Sequence, residues 1–145
     1  MEGIDHRVVR HGPVRSLEEA AEARRLTPAQ VIKTMVVRRA EDDYLFVLVP
    51  GDRSISWPKL REYLGVNRVS MPDAEKALEV TGYARGTITP LGSIRPWPVI
   101  ADASLAGDVS LGGGAHGVSI TADAGAIIDM LGAERADVTE EDDAV

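Results

Sequence analysis

Two apolar runs joined by a short acidic turn constrain this chain more than any other feature. Val31-Ile32-Lys33-Thr34-Met35-Val36-Val37 and Tyr44-Leu45-Phe46-Val47-Leu48-Val49 flank Glu41-Asp42-Asp43. The pair reads as a β-hairpin. Neither run shows the apolar–polar alternation of a strand with one wet face, so both faces of the hairpin are expected to be covered. The 145 residues make one domain of common size, able to bury a core without metal or disulfide staples. Aromatic residues make up only 4%, so that core must rest on Val, Ile, Leu and Ala. Cysteine is absent, which removes disulfides, thiolate nucleophiles and thiolate-bound zinc and fits a reducing cytoplasm.

Lys33 stands inside the first apolar run. Moving an ammonium out of water costs several kcal/mol or lowers its pKa, and a chain keeps such a group where a cleft, a partner or a reaction needs it. The alternative is a lysine at the strand mouth whose stem snorkels to solvent. Both readings stand on the sequence alone.

The remaining elements follow from start and stop signals. A first strand is expected near Arg7–His11. Ser16-Leu17-Glu18-Glu19 forms a capping box for a helix over residues 17–25. Thr27-Pro28-Ala29-Gln30 reads as a one-turn helix. Helices are expected over 58–64, stopped by Gly65, and over 73–80, stopped by Thr81-Gly82, with a short strand over 66–71 between them. A strand is expected over 97–101 and another at 109–111. Beyond the glycine-rich turn Gly112-Gly113-Gly114-Ala115-His116-Gly117, a strand at 118–120 leads to Thr121, read as the cap of a helix over 122–131. A last strand is placed over 135–138. The mixture, without a regular βαβ repeat, predicts one α/β (α+β) domain: a curved, mixed or mainly antiparallel sheet with small outer helices. The domain is expected over residues 1–138, with 139–145 as an acidic, frayed tail.

The net charge of −7 is unevenly placed: residues 1–72 carry 12 Lys/Arg against 10 Asp/Glu, and residues 73–145 carry 4 against 13. That argues against a broad nucleic-acid groove, which needs many phosphate contacts, but leaves room for one end of a nucleic acid on a local basic patch. No run approaches the roughly 20 apolar residues of a membrane span. The N-terminal residues lack the pattern of a signal peptide, and a cytoplasmic location is expected.

Three loops and residues carry candidate chemistry. Four glycines among residues 112–117 let successive N–H groups face one concavity, which suits a carbonyl oxygen, an oxyanion or a phosphate; a simple hairpin turn is the alternative. The loop Gly86-Thr87-Ile88-Thr89-Pro90-Leu91-Gly92 has a path fixed by its glycines and proline and carries two hydroxyls; an ordinary connection is the alternative. Asp102 ends a strand and is either a site carboxylate or the cap of the turn at Ala103-Ser104. His6, His11 and His116 match no zinc spacing, and no Gly-x-Ser-x-Gly elbow is present. No metal and no cofactor are expected.

The Lys33 strand, the Gly86-to-Gly92 loop and the late glycine turn, taken in order, resemble the YbaK/prolyl-tRNA-synthetase-associated domain, a free-standing relative of that synthetase's editing insertion. The resemblance runs from about Val8 to Val138. It implies a trans-editing hydrolase that deacylates mischarged aminoacyl-tRNA in the cytoplasm. It implies Lys33 as the catalytic cation, and Thr34, Gly86, Thr87, Pro90, Gly112, Gly113, Gly114 and His116 around the substrate. The partners implied are the 3′ end of an aminoacyl-tRNA and a synthetase, with no membrane and no metal. Many relatives carry a basic residue in the glycine turn where Ala115-His116 stands here. The alternative function is a non-catalytic module that binds an aminoacyl or nucleotide end in a regulatory role.

Overall fold

The computed structural model describes residues 6–10, 27–82, 97–112 and 118–141. The expected hairpin is its centre. Strand β2 (Ile32–Ala40) pairs antiparallel with β3 (Asp43–Pro50), from Ile32 opposite Pro50 to Ala40 opposite Asp43. Asp42 turns the chain at φ 56°, a left-handed conformation that Asp tolerates. Beside the turn, the Arg39 guanidinium donates twice to the Asp43 carboxylate, at 2.9 and 3.1 Å.

Strand β5 (Val99–Asp102) joins β3 in parallel, and β8 (Glu134–Ala136) joins β5 in parallel, giving a mixed four-stranded sheet in the order β2-β3-β5-β8. A second sheet, β1-β7-β6, is antiparallel and built from β1 (His6–Arg10), β6 (Asp108–Gly112) and β7 (Val118–Asp123). A parallel bridge between Val31 and Ser110 links the two sheets. The ribbon β4 (Arg53–Ile55) with β9 (Thr139–Glu141) completes the strands among the described residues. The helices described are α1 (Trp57–Leu64), α2 (Ala74–Thr81) and α3 (Ala124–Leu131), with a 3-10 turn at Pro28–Gln30.

The covered faces are real. One side of the hairpin (Ile32, Val36, Phe46, Leu48) packs against Val109, Leu111 and Ala122 of the second sheet and Ile127 and Ile128 of α3. The other side (Val37, Leu45, Val47, Val49), with Ile100 of β5, packs against Ile55, Leu60 and Val138, which come from the ribbon region and α1. Leu60 is fully buried, and burying one such side chain contributes about 2 kcal/mol.

Three expectations need correction. Residues 66–71 do not form a strand; only Ser70 meets the hairpin, through paired backbone bonds with Arg38 of β2 at 2.7 and 3.1 Å, and the pairing does not continue beyond that one bridge. Thr121 is not a helix cap: β7 runs on to Asp123, whose carboxylate accepts from the Ala126 N–H at 3.0 Å and opens α3. The tail expected to fray from residue 139 begins with β9, and Thr139 is wholly buried. The helix expected over 17–25 lies outside the described residues.

Candidate functional site

Lys33 is the second residue of β2 and lies opposite Val49. Opposed residues of an antiparallel pair share a face, so Lys33 stands on the Val49 side, with α1 and the β4–β9 ribbon. It is neither an enclosed cation nor a free one. The side chain is half-buried, and its Nζ donates to the main-chain carbonyl of Arg53 in β4. Thr34 lies opposite Leu48 and so faces the other core. Its hydroxyl is not brought beside the Lys33 ammonium by this alternation.

The start of β2 is pinned next to β6. The Gln30 side-chain amide donates to the Asp108 carbonyl at 2.9 Å, and Val31 bridges Ser110. Residues joined by a parallel bridge share a face, and two residues further along each strand come Lys33 and Gly112. Lys33, in the four-stranded sheet, and Gly112, in the three-stranded sheet, thus each stand two residues beyond this one bridge. Gly112 is the last residue before the glycine turn. Thr121 lies opposite Ser110 on this face; it is buried, and its hydroxyl has no partner among the described residues.

The other expected site residues, Gly86, Thr87, Pro90, Gly113, Gly114 and His116, lie outside the described residues. The flanks of the Gly86 loop are described. The Trp97 indole N–H donates to the Val80 carbonyl at 2.8 Å, and the ring meets Tyr44 edge-on with centroids 5.3 Å apart. These flanks stand at the Tyr44 end of the hairpin, whereas Lys33 stands at the Val49 end. A cleft of about 410 Å³ opens near that far end, between the hairpin turn and the start of α2. Its walls include Arg38 and Lys76 against Glu41, Asp42 and Asp73, a nearly balanced set of charges.

Sequence reasoning missed a polar network behind Lys33. The Arg53 side chain donates from Nε to the Thr139 hydroxyl at 2.7 Å and from Nη2 to the Thr139 carbonyl at 3.2 Å. The Thr139 hydroxyl also favours the ionised form of the Asp102 carboxyl. Asp102 is buried at the C-terminal end of β5; it accepts from the Ser104 hydroxyl, from the Ser104 N–H at 3.2 Å and from the Val138 N–H at 3.2 Å. Burial pushes its carboxyl up, but the bonds from Ser104, Thr139 and Val138 outweigh burial and hold it below the ordinary aspartate value. Asp102 therefore caps the Ala103-Ser104 turn, as one sequence reading has it, and is also tied to β9. The Asp102 half of this network was visible as a strand-end carboxylate; the Arg53 and Thr139 half carries no local signal.

Comparison with known proteins gives the following. A family model for an aminoacyl-tRNA editing domain matches residues 11–129. The proline–tRNA ligase of Thermosipho africanus is 35% identical over 80 residues, which is 55% of this chain and 14% of the ligase. That of Citrifermentans bemidjiense is 31% identical over 112 residues, 73% of this chain and 19% of the ligase. The chain thus spans less than a fifth of the length of these curated relatives. Among solved structures, a proposed trans-editing enzyme for prolyl tRNA synthetase superposes with a TM-score of 0.86 at 27% identity, covering 93% of this chain and 87% of that one. A hypothetical protein, APE2540, superposes with a TM-score of 0.86 at 26% identity, covering 95% and 93%.

Proposed function

The chain belongs to the aminoacyl-tRNA editing domain family, and from that premise we propose that it hydrolyses the ester of a mischarged aminoacyl-tRNA, acting in the cytoplasm. What supports the reading is that Lys33 and Gly112 each stand two residues beyond the Val31–Ser110 bridge, Gly112 being the last described residue before the glycine-rich turn. The seven-residue family loop at Gly86 and the turn residues Gly113, Gly114 and His116 belong to the proposal, as does Thr34 through its backbone. Residues 1–138 with β9 would form the working unit.

The chemistry asks little of the protein. An aminoacyl ester is already activated. Water adds to the carbonyl carbon, the bond to the terminal ribose oxygen breaks, and that oxygen leaves with a proton. The developing oxyanion is stabilised by backbone N–H groups of the glycine turn, each contributing roughly 2.7–4 kcal/mol in comparable hydrolases. Lys33 supplies positive charge to the carbonyl or to the terminal phosphate. With no strong general base beside Lys33 among the named motifs, the ribose hydroxyl or the substrate amine assists the water. The relatives' proline–tRNA ligase activity makes tRNAs for proline and its mimics the first substrates to try.

A panel of mischarged tRNAs, offered to wild type and to Lys33→Ala, tests this. Release of amino acid is expected to fall to the buffer rate in the variant, a drop of at least about 100-fold, with far-UV circular dichroism unchanged. Equal release by the two proteins would refute the role of Lys33. Saturable tRNA binding without turnover by wild type would instead favour a binding module.

A further inference from the structure

The carbonyl that receives the Lys33 ammonium is itself held from two directions. Building on the deacylase reading, we infer that Arg53 and Thr139 form a positioning device that fixes the Lys33 ammonium at one point of the site. The Thr139 hydroxyl oxygen accepts from Arg53 Nε at 2.7 Å. Arg53 Nη2 reaches the carbonyl of the same threonine at 3.2 Å. A planar guanidinium held at two points has little freedom left, which is a task for arginine and not for lysine.

The main chain of Arg53 is fixed independently. Arg53 pairs with Glu141, and Ile55 with Thr139, in the β4–β9 ribbon. Side chain and strand pairing together orient the Arg53 carbonyl, and that carbonyl accepts from Lys33 Nζ. A lysine otherwise swings on four rotatable bonds. Here its end is tied through Arg53 to the wholly buried Thr139, so residues 33, 53 and 139 act as one unit. Arg53 and Thr139 touch no reacting atom in this scheme; they act through Lys33.

The test uses the full chain carrying Thr139→Val, Thr139→Ser or Arg53→Met. Three quantities are read: the ¹H–¹³C resonance of the Lys33 ε-methylene, assigned by its loss in Lys33→Arg; kcat and KM for release of amino acid from mischarged tRNA; and the thermal midpoint. In Thr139→Val and Arg53→Met the ε-methylene resonance is expected to move toward that of free lysine. In the same variants kcat is expected to fall about 10- to 100-fold with KM within about twofold. Thr139→Ser, which keeps the hydroxyl, is expected to retain the wild-type resonance and kcat. An unmoved resonance in both Thr139→Val and Arg53→Met, or a serine variant no better than the valine one, would overturn the inference. Should Thr139→Val fail to fold, Arg53→Met decides by the same readings, since it changes a half-buried side chain and leaves the carbonyl in place. If wild type releases no amino acid from any mischarged tRNA, the deacylase reading falls, and the Lys33 resonance still decides whether the device exists.

Discussion

Asp102 is an anion enclosed by protein, and its environment has a measurable consequence. Its carboxyl is held below the ordinary value of 3.8 despite burial, because four donated bonds outweigh the loss of water. The unfolded chain therefore binds this proton more tightly than the folded one. The stability that Asp102 contributes is complete above about pH 4 and is lost as the pH falls through the folded-state value. Asp102→Asn is expected to lower stability at pH 7 by about 2 kcal/mol. Urea unfolding at a series of pH values should show the gap to wild type narrowing below about pH 4. At this scale the sequence was half legible. The Asx turn at Ser104 is two residues away and could be read locally; the bonds from Val138 and Thr139 come from more than thirty residues on and could not. Lys33 teaches the same point. Its apolar neighbours marked it as constrained, but its acceptor sits in a strand that no local pattern announced.

The helices were the most legible elements. Ser56 and Gly65 bracket α1, Asp73 and Gly82 bracket α2, and the cap positions match the expected punctuation within a residue or two. Gly65 ends α1 at φ 69°, and the space where a Cβ would stand is open. Gly65→Ala is therefore expected to lose about 1 kcal/mol from backbone conformation alone, with no steric clash, and Gly65→Asn less; chemical denaturation of the two variants checks the order. Strands were less legible. The segment at residues 66–71 was expected as a strand but found no ladder, while Arg53–Ile55, where no element was expected, found one in β9. A helix closes its hydrogen bonds within itself, whereas a strand exists only where a partner arrives.

The whole molecule closes through its C-terminal strand. Ile55 and Thr139, paired within the ribbon, and Val138 just before β9 are buried, and the Ser56 N–H donates to the Val138 carbonyl at 2.9 Å. Deleting residues 139–145 removes β9, one donor to Asp102 and both anchors of the Arg53 side chain. A loss of about 3 kcal/mol follows, which lowers the thermal midpoint by roughly 10 °C in a chain of this size. The double variant Glu140→Gln/Glu141→Gln keeps the strand and is expected to stay within about 0.5 kcal/mol of wild type, so calorimetry on the two separates strand pairing from tail charge. From sequence alone came the central hairpin with its two covered faces, the helix boundaries, a core without disulfides, and Lys33 as the residue to watch. Tertiary structure alone decided that Val31 bridges Ser110 two residues short of Lys33 and Gly112, that Thr34 faces the other core, and that Arg53 links Lys33 to Thr139. The reason is range: caps, turns and periodicity act over a few neighbouring residues, while strand pairing and burial choose partners from anywhere along the chain.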